Sequence, residues 1–238
     1  MTETKVRAVR PRAVRPHDSA ALILIEGLGR KNPKILLGKR HPSLKFMPGK
    51  FVFPGGRLEP GDRRMNIAGP LDVRVEARLL KGRKDDDPTF ARALALTAIR
   101  ETFEETGLVV GVGDYGGPEK PPAAWRDYAH QNCLPDLQGL HFIARAITPP
   151  FLPRRFDTRF FALDARAVIA RIDGVAHAEA ELVELVWTPL DEADGLDMAD
   201  VTRSVLGELR ARLAAGMSPF LPTPFYHFSR GNWRREDL

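Results

Sequence analysis

A single cysteine, Cys133, stands in a chain of 238 residues. One thiol forbids an intrachain disulfide and any zinc site built on several thiolates, so the fold is compatible with a reducing compartment. Long apolar runs are missing too. The best, residues 20–25, has the length of a buried strand and falls far short of the roughly 20 residues that span a bilayer. No apolar stretch follows the basic N-terminus as a secretory signal requires, and the expected location is the cytoplasm. The six histidines are scattered, with no pair at ligand spacing. What is present is globular: 43% hydrophobic and 28% charged residues, enough to bury one core of ordinary size.

The net charge of +5 is unevenly placed. Lys5, Arg7, Arg10, Arg12 and Arg15 stand against Glu3 alone in residues 1–16, so the rest of the chain carries only +1. This segment holds a tandem repeat, Arg7-Ala-Val-Arg-Pro11 and Arg12-Ala-Val-Arg-Pro16. Its prolines predict an extended, solvated arm. A tail gripping phosphate backbones is the alternative, but binding by counterion release usually recruits about six or more charges on a patterned surface. Neither nucleic acid nor a membrane is an expected partner.

Strand-like runs at residues 20–25 and 34–40 flank the turn signal Lys31-Asn-Pro33 and read as an antiparallel hairpin. Residues 51–53 form a third apolar segment running into Pro54-Gly55-Gly56. A long helix is expected over 88–106, with Asp87 as cap, Pro88 at its first position and Gly107 as its left-handed stop. Further strands are expected at 108–112, 140–147, 158–163 and 182–187, and a helix at 198–215. Strands mixed with a few helices suggest an α/β sheet sandwiched between helices.

The informative segment is Arg100-Glu-Thr-Phe-Glu-Glu-Thr-Gly107. On a helix Glu101, Glu104 and Glu105 fall at i, i+3 and i+4 and share a face, while Leu96, Ile99 and Phe103 fall opposite. Three carboxylates so crowded repel one another unless a cation sits among them. That cation is either Arg100 or a hard metal such as Mg²⁺, which takes oxygen ligands. A solvated acidic face is the alternative. Upstream, Phe53-Pro-Gly-Gly-Arg-Leu-Glu-Pro-Gly-Asp62 sets two glycines directly after a strand, where backbone must approach something closely or turn through positive φ.

Together these segments resemble the Nudix box. Gly56 opens it, Arg100, Glu101, Glu104 and Glu105 fill its acidic half, and Gly107-Leu108 close it. Asp62 stands where the family has glutamate, which leaves a metal contact there in doubt, and Thr102 replaces an aliphatic residue. A 30-residue insertion, at about 63–92, interrupts the box between loop and helix. The interruption, with the run 46–56 before it and Pro153-Arg-Arg-Phe-Asp-Thr-Arg-Phe-Phe161 after it, resembles the branch that holds the peroxisomal coenzyme A diphosphatases of mammals and their bacterial relatives. The chain's last residues, Glu236-Asp-Leu238, form no peroxisomal address.

The resemblance implies an α/β/α sandwich with a mixed central sheet, in which residues 17–215 form the Nudix domain. It implies hydrolysis of a nucleoside diphosphate linked to another moiety, helped by Mg²⁺ or Mn²⁺ on Glu101, Glu104, Glu105 and the Gly56 carbonyl, with Arg100 orienting the glutamates. Coenzyme A or acyl-coenzyme A is the expected substrate. ADP-ribose, NADH and dinucleoside polyphosphates are the enzymatic alternatives, and a non-catalytic domain binding nucleotide or RNA is the third. Arg40, Arg57, Arg154 and Arg155 are candidate phosphate contacts, since guanidinium forks suit phosphates. Glu104 or the loop residue Glu181 is the candidate base. The insertion carries the alternating run Leu71, Val73, Val75, which needs cover as a lid, a dimer contact or a packed excursion. Residues 216–238 form an aromatic tail, with five of the chain's aromatics in 220–233, expected to dock on the domain, with a homodimer contact as the alternative.

Overall fold

The computed structural model describes residues 14–83 and 87–238. Most of the basic arm, up to residue 13, lies outside them. In chain order the elements are β1 (His17–Glu26), β2 (Lys34–Arg40), β3 (Phe51–Val52), β4 (Gly55–Arg57), α1 (Val73–Leu80), α2 (Pro88–Thr106), β5 (Leu108–Val110), α3 (Arg126–Ala129), β6 (His141–Ile147), β7 (Phe156–Asp164), β8 (Val168–Arg171), β9 (Leu182–Pro189), α4 (Asp200–Ala214), β10 (Pro224–Ser229) and β11 (Asn232–Asp237).

Among the described residues nine strands form one mixed sheet in the order β11-β10-β6-β7-β1-β2-β3, with β4 also on β1 and β9 on β2. The expected β1–β2 hairpin is antiparallel. β1 also runs parallel to β7 along its length, and the Ser19 and Thr158 hydroxyls meet across that seam at 2.7 Å. Alternation sorts β1 between two cores. Ala20, Leu22 and Leu24 join the cluster built on α2, whereas Ala21, Ile23 and Ile25 join Val205, Leu206 and Leu209 of α4. A strand covered on both faces has no polar side, hence the unbroken apolar run at 20–25. The layers are therefore helix, mixed sheet, helix. The second sheet is the small antiparallel pair β5–β8. β5 stops at Val110, short of the expected 112, because Val112 leaves the ladder to bridge Leu134.

α2 begins and ends where capping chemistry predicts. Asp87 accepts from Thr89 N at 3.0 Å, and Gly107 closes the helix at φ 72° with its N–H on the Phe103 carbonyl. The helix is buried on more than the one face expected of it. Phe90, Leu94, Ile99 and Phe103 are all in the core, with Tyr128 edge-on to Phe103.

The insertion is built differently from its apparent alternation. Asp72 caps α1 through Arg74 N and Val75 N, and the buried residues are Leu71, Val75 and Leu79, a spacing of four. Val73 points out, 76% exposed. The segment thus joins the α2 core as a packed excursion. At the chain's other end β10 pairs parallel with β6, and β11 folds back on β10. This hairpin was not expected of a proline-punctuated run; Trp233 on it and Phe220 before it remain exposed. Among the described residues no helix is long and apolar enough to cross a membrane.

Candidate active site

β4 lies antiparallel to β1 and carries the double glycine under the C-terminal half of α2. Gly55 N donates to Glu105 Oε2 at 2.9 Å. A Cβ on Gly56 would collide with the Glu101 carboxylate, and one on Gly55 would strike the β1 backbone at Ala20 and Ala21. Both positions therefore need glycine for closeness, to β1 on one side and to the glutamates on the other. Residues 56 and 101, separated by the insertion, are in contact.

Arg100 fixes the acidic half of the site from beneath. Its guanidinium donates to Asp62 through Nε at 2.9 Å and Nη2 at 3.1 Å, to the Arg57 carbonyl at 2.8 Å and to Glu104 at 3.0 Å, and it pairs with Glu101 at 3.0 Å. Asp62 is wholly buried. It also accepts from Trp125 Nε1 at 2.9 Å, Thr97 Oγ1 at 2.8 Å and Glu59 N at 2.9 Å. Both carboxylate oxygens of Asp62 are thus met by donors, and the residue anchors Arg100. Trp125 and Thr97 went unnoticed in the sequence. Thr97 sits one turn before the box arginine, but no local pattern marks Trp125, which lies 63 positions after Asp62.

Burial leaves the glutamates reluctant to ionise. It pushes Glu101 up to about 7, opposed by Arg100 and reinforced by Glu104. Burial likewise raises Glu104. The Glu105 carboxyl is pushed well above the ordinary range by burial and then by the Glu101 charge, although the residue keeps partial solvent contact. Burial alone would lower Arg100, but Asp62, Glu101 and Glu104 more than offset it and hold the guanidinium charged. One arginine shared with Asp62 does not neutralise three glutamates, and the donor set is all oxygen, as a hard divalent cation requires. Among the described residues, however, no three His, Cys, Asp or Glu side chains already stand in a set that could hold a metal ion. Glu101 and Glu104 turn to Arg100 instead. The donor oxygens fit Mg²⁺ or Mn²⁺ in kind.

The other predicted residues divide into two groups. Arg40 donates to the Phe46 carbonyl at 3.0 Å and pairs with Glu181 at 2.9 Å, and both charges act on Glu105. Arg57 is exposed and lies over the Phe156 ring at 5.6 Å. Arg154 is exposed, whereas Arg155 is occupied by the carbonyls of Thr148 and Val14. Two open clefts of about 460 and 430 Å³ lie elsewhere, one along α1 and one at 117–120, and neither is lined by Glu101, Glu104 or Glu105.

The interrupted box closes in space on a three-layer fold, and in both sequence and structure the chain resembles Nudix proteins. No family model matches it. Its structure is similar to that of a Nudix hydrolase from Alicyclobacillus acidocaldarius, with a TM-score of 0.61 and 29% identity over 86% of this chain and 96% of that one. In sequence it is similar to the acyl-coenzyme A diphosphatase of Homo sapiens, 30% identical over 65% of this chain and 57% of the relative. It is 27% identical to the acyl-coenzyme A diphosphatase of Xenopus laevis, over 58% and 49%. The chain thus spans about half the length of the curated relatives it matches.

Proposed function

We propose that the chain hydrolyses the diphosphate bond of a nucleoside diphosphate linked to another moiety, and that coenzyme A or acyl-coenzyme A is the substrate, giving 3′,5′-ADP and 4′-phosphopantetheine. One observation carries the reaction class: Glu101 and Glu105 meet the Gly55-Gly56 turn, and Glu104 pairs with Arg100, which Asp62 holds in place. The similarity to acyl-coenzyme A diphosphatases supports the substrate.

Glu101, Glu104, Glu105 and the Gly56 carbonyl would hold Mg²⁺ or Mn²⁺, which when bound neutralises diphosphate charge and acidifies the attacking water. Arg100 sets the rest positions of Glu101 and Glu104, and the Asp62 anchor keeps it from swinging out to the substrate. Gly55 N orients the Glu105 carboxylate. Glu104, whose side chain is 42% exposed, is the better placed of the two candidate bases. Glu181 lies against Arg40, 2.9 Å from its guanidinium. Arg40 and Arg57 flank the glutamates and supply cations for the phosphates of the substrate.

A panel of coenzyme A, acetyl-coenzyme A, ADP-ribose, NADH and a dinucleoside polyphosphate, each with Mg²⁺ and with Mn²⁺, tests this by chromatography of the products. 3′,5′-ADP from coenzyme A is expected. Faster turnover of ADP-ribose or NADH would replace the substrate but keep the chemistry, and binding without turnover on every member would overturn both.

A further inference from the structure

Two aromatic rings near the glutamates are used by neither core. Phe46, in the loop between β2 and β3, and Phe156, at the start of β7, lie with centroids 5.2 Å apart and planes tilted by 60°. Both are half-buried, and neither belongs to either apolar cluster. Rings left partly open to water at a defined tilt offer apolar faces that a second flat group can cover.

The pair is tied to the candidate site from two sides. Arg40 Nε holds the Phe46 carbonyl while its Nη1 holds Glu181, and the charge of Arg40 acts on Glu105. On the other side Arg57 lies over the Phe156 ring, follows Gly56 directly and gives its carbonyl to Arg100. A diphosphate held at this site would therefore lie beside Arg40 and Arg57, each of which touches one of the two aromatic residues. Phe46 and Phe156 already touch, so a further flat group would cover the ring surface that their contact leaves half-exposed. Phenylalanine has no donor or acceptor to read an aliphatic amide arm, whereas every nucleobase has a π-face to stack.

Resting on the reading of the chain as a nucleotide diphosphate hydrolase, we infer that Phe46 is the stacking platform for the substrate's nucleobase. Phe156 is the positioning residue that props it, and Arg57 holds Phe156 and meets the adjoining phosphate. The substrate is thereby gripped at its nucleotide end, and the group beyond the diphosphate lies away from the rings.

The test is calorimetric titration of the full chain with ADP and, separately, with 4′-phosphopantetheine, which lacks a base. Phe46→Ala, a loop substitution, is expected to weaken ADP about tenfold, the scale of one lost base stack, and to leave 4′-phosphopantetheine unchanged. Phe46→Trp restores ADP affinity, and its indole fluorescence changes on ADP addition. Phe156→Leu weakens ADP less than Phe46→Ala does and raises KM with little change in kcat. Unchanged ADP affinity in Phe46→Ala, equal loss of both ligands, or loss of 4′-phosphopantetheine alone would each overturn the platform. So would a wild-type chain that fails to bind ADP. A chain that binds ADP in this Phe46-dependent way but cleaves no diphosphate leaves the platform standing and removes the proposed reaction, so the two readings fail separately.

Discussion

Arg100 acts on Glu101 and Glu104, and Arg40 on Glu105 and Glu181, from contrasting surroundings. Arg100 has a side chain 2% exposed and a partner, Asp62, with none of its surface in water; every oxygen of that partner is met by donors from Arg100, Thr97, Trp125 and Glu59. Arg40 pairs with Glu181, whose side chain is 52% exposed, and holds one backbone carbonyl. A buried pair loses much when one partner goes, because the other is left charged without water. The Arg40 side chain is itself only 14% exposed, but its partner stays open to solvent, which weakens the pair. The same residue type therefore serves as scaffold at position 100 and as a replaceable contact at position 40.

Breaking each contact should sharpen this contrast. Asp62→Ala should cost about 3–5 kcal/mol, the usual range for orphaning one half of a buried pair, read as a large fall in melting temperature. A fall no larger than that of a surface variant would remove the anchor. Trp125→Phe deletes one donor to Asp62 and should cost about 1–3 kcal/mol, by denaturant titration. Glu101 gives an effect of the opposite sense. In the folded protein without metal it keeps its proton up to about 7, whereas an unfolded glutamate loses it near the ordinary value of 4.5. The folded state thus binds more protons across that window, and stability falls as pH rises through it. Glu101→Gln should flatten this fall, and added Mg²⁺ should oppose it, both visible in melts across pH 5 to 8. A wild-type profile identical to that of Glu101→Gln would contradict the burial of the carboxyl. Smallest of all, Arg40→Ala should change stability by less than about 1 kcal/mol while raising KM.

Local chemistry made α2 and its box legible in sequence. Asp87, Pro88 and Gly107 bracket the helix, and i, i+3, i+4 spacing gathers the glutamates whatever the rest of the chain does. The fold class followed from the box, but the sheet order did not. The parallel seam of β1 and β7 joins Ser19 to Thr158, 139 positions away, and no local pattern encodes such a pairing. In α1 the exposed Val73 completed a false alternation and masked the spacing of Leu71, Val75 and Leu79. The anchor was half legible: Asp62 occupied a box position, but its partner Trp125 comes from a separate segment. Phe46 and Phe156 stood in the runs that carry the branch resemblance but had no role of their own until folding left them outside both cores.

The most direct measurement of the central claim is the turnover of coenzyme A, with Mg²⁺, by the wild-type chain beside Glu104→Gln and Glu105→Gln from matched folded preparations. The predicted result is 3′,5′-ADP from the wild type and, in both variants, retained folding with turnover lowered by at least about 100-fold, the scale of a lost catalytic group. Near-normal turnover in both variants would contradict the assignment of this helix face as the reactive centre.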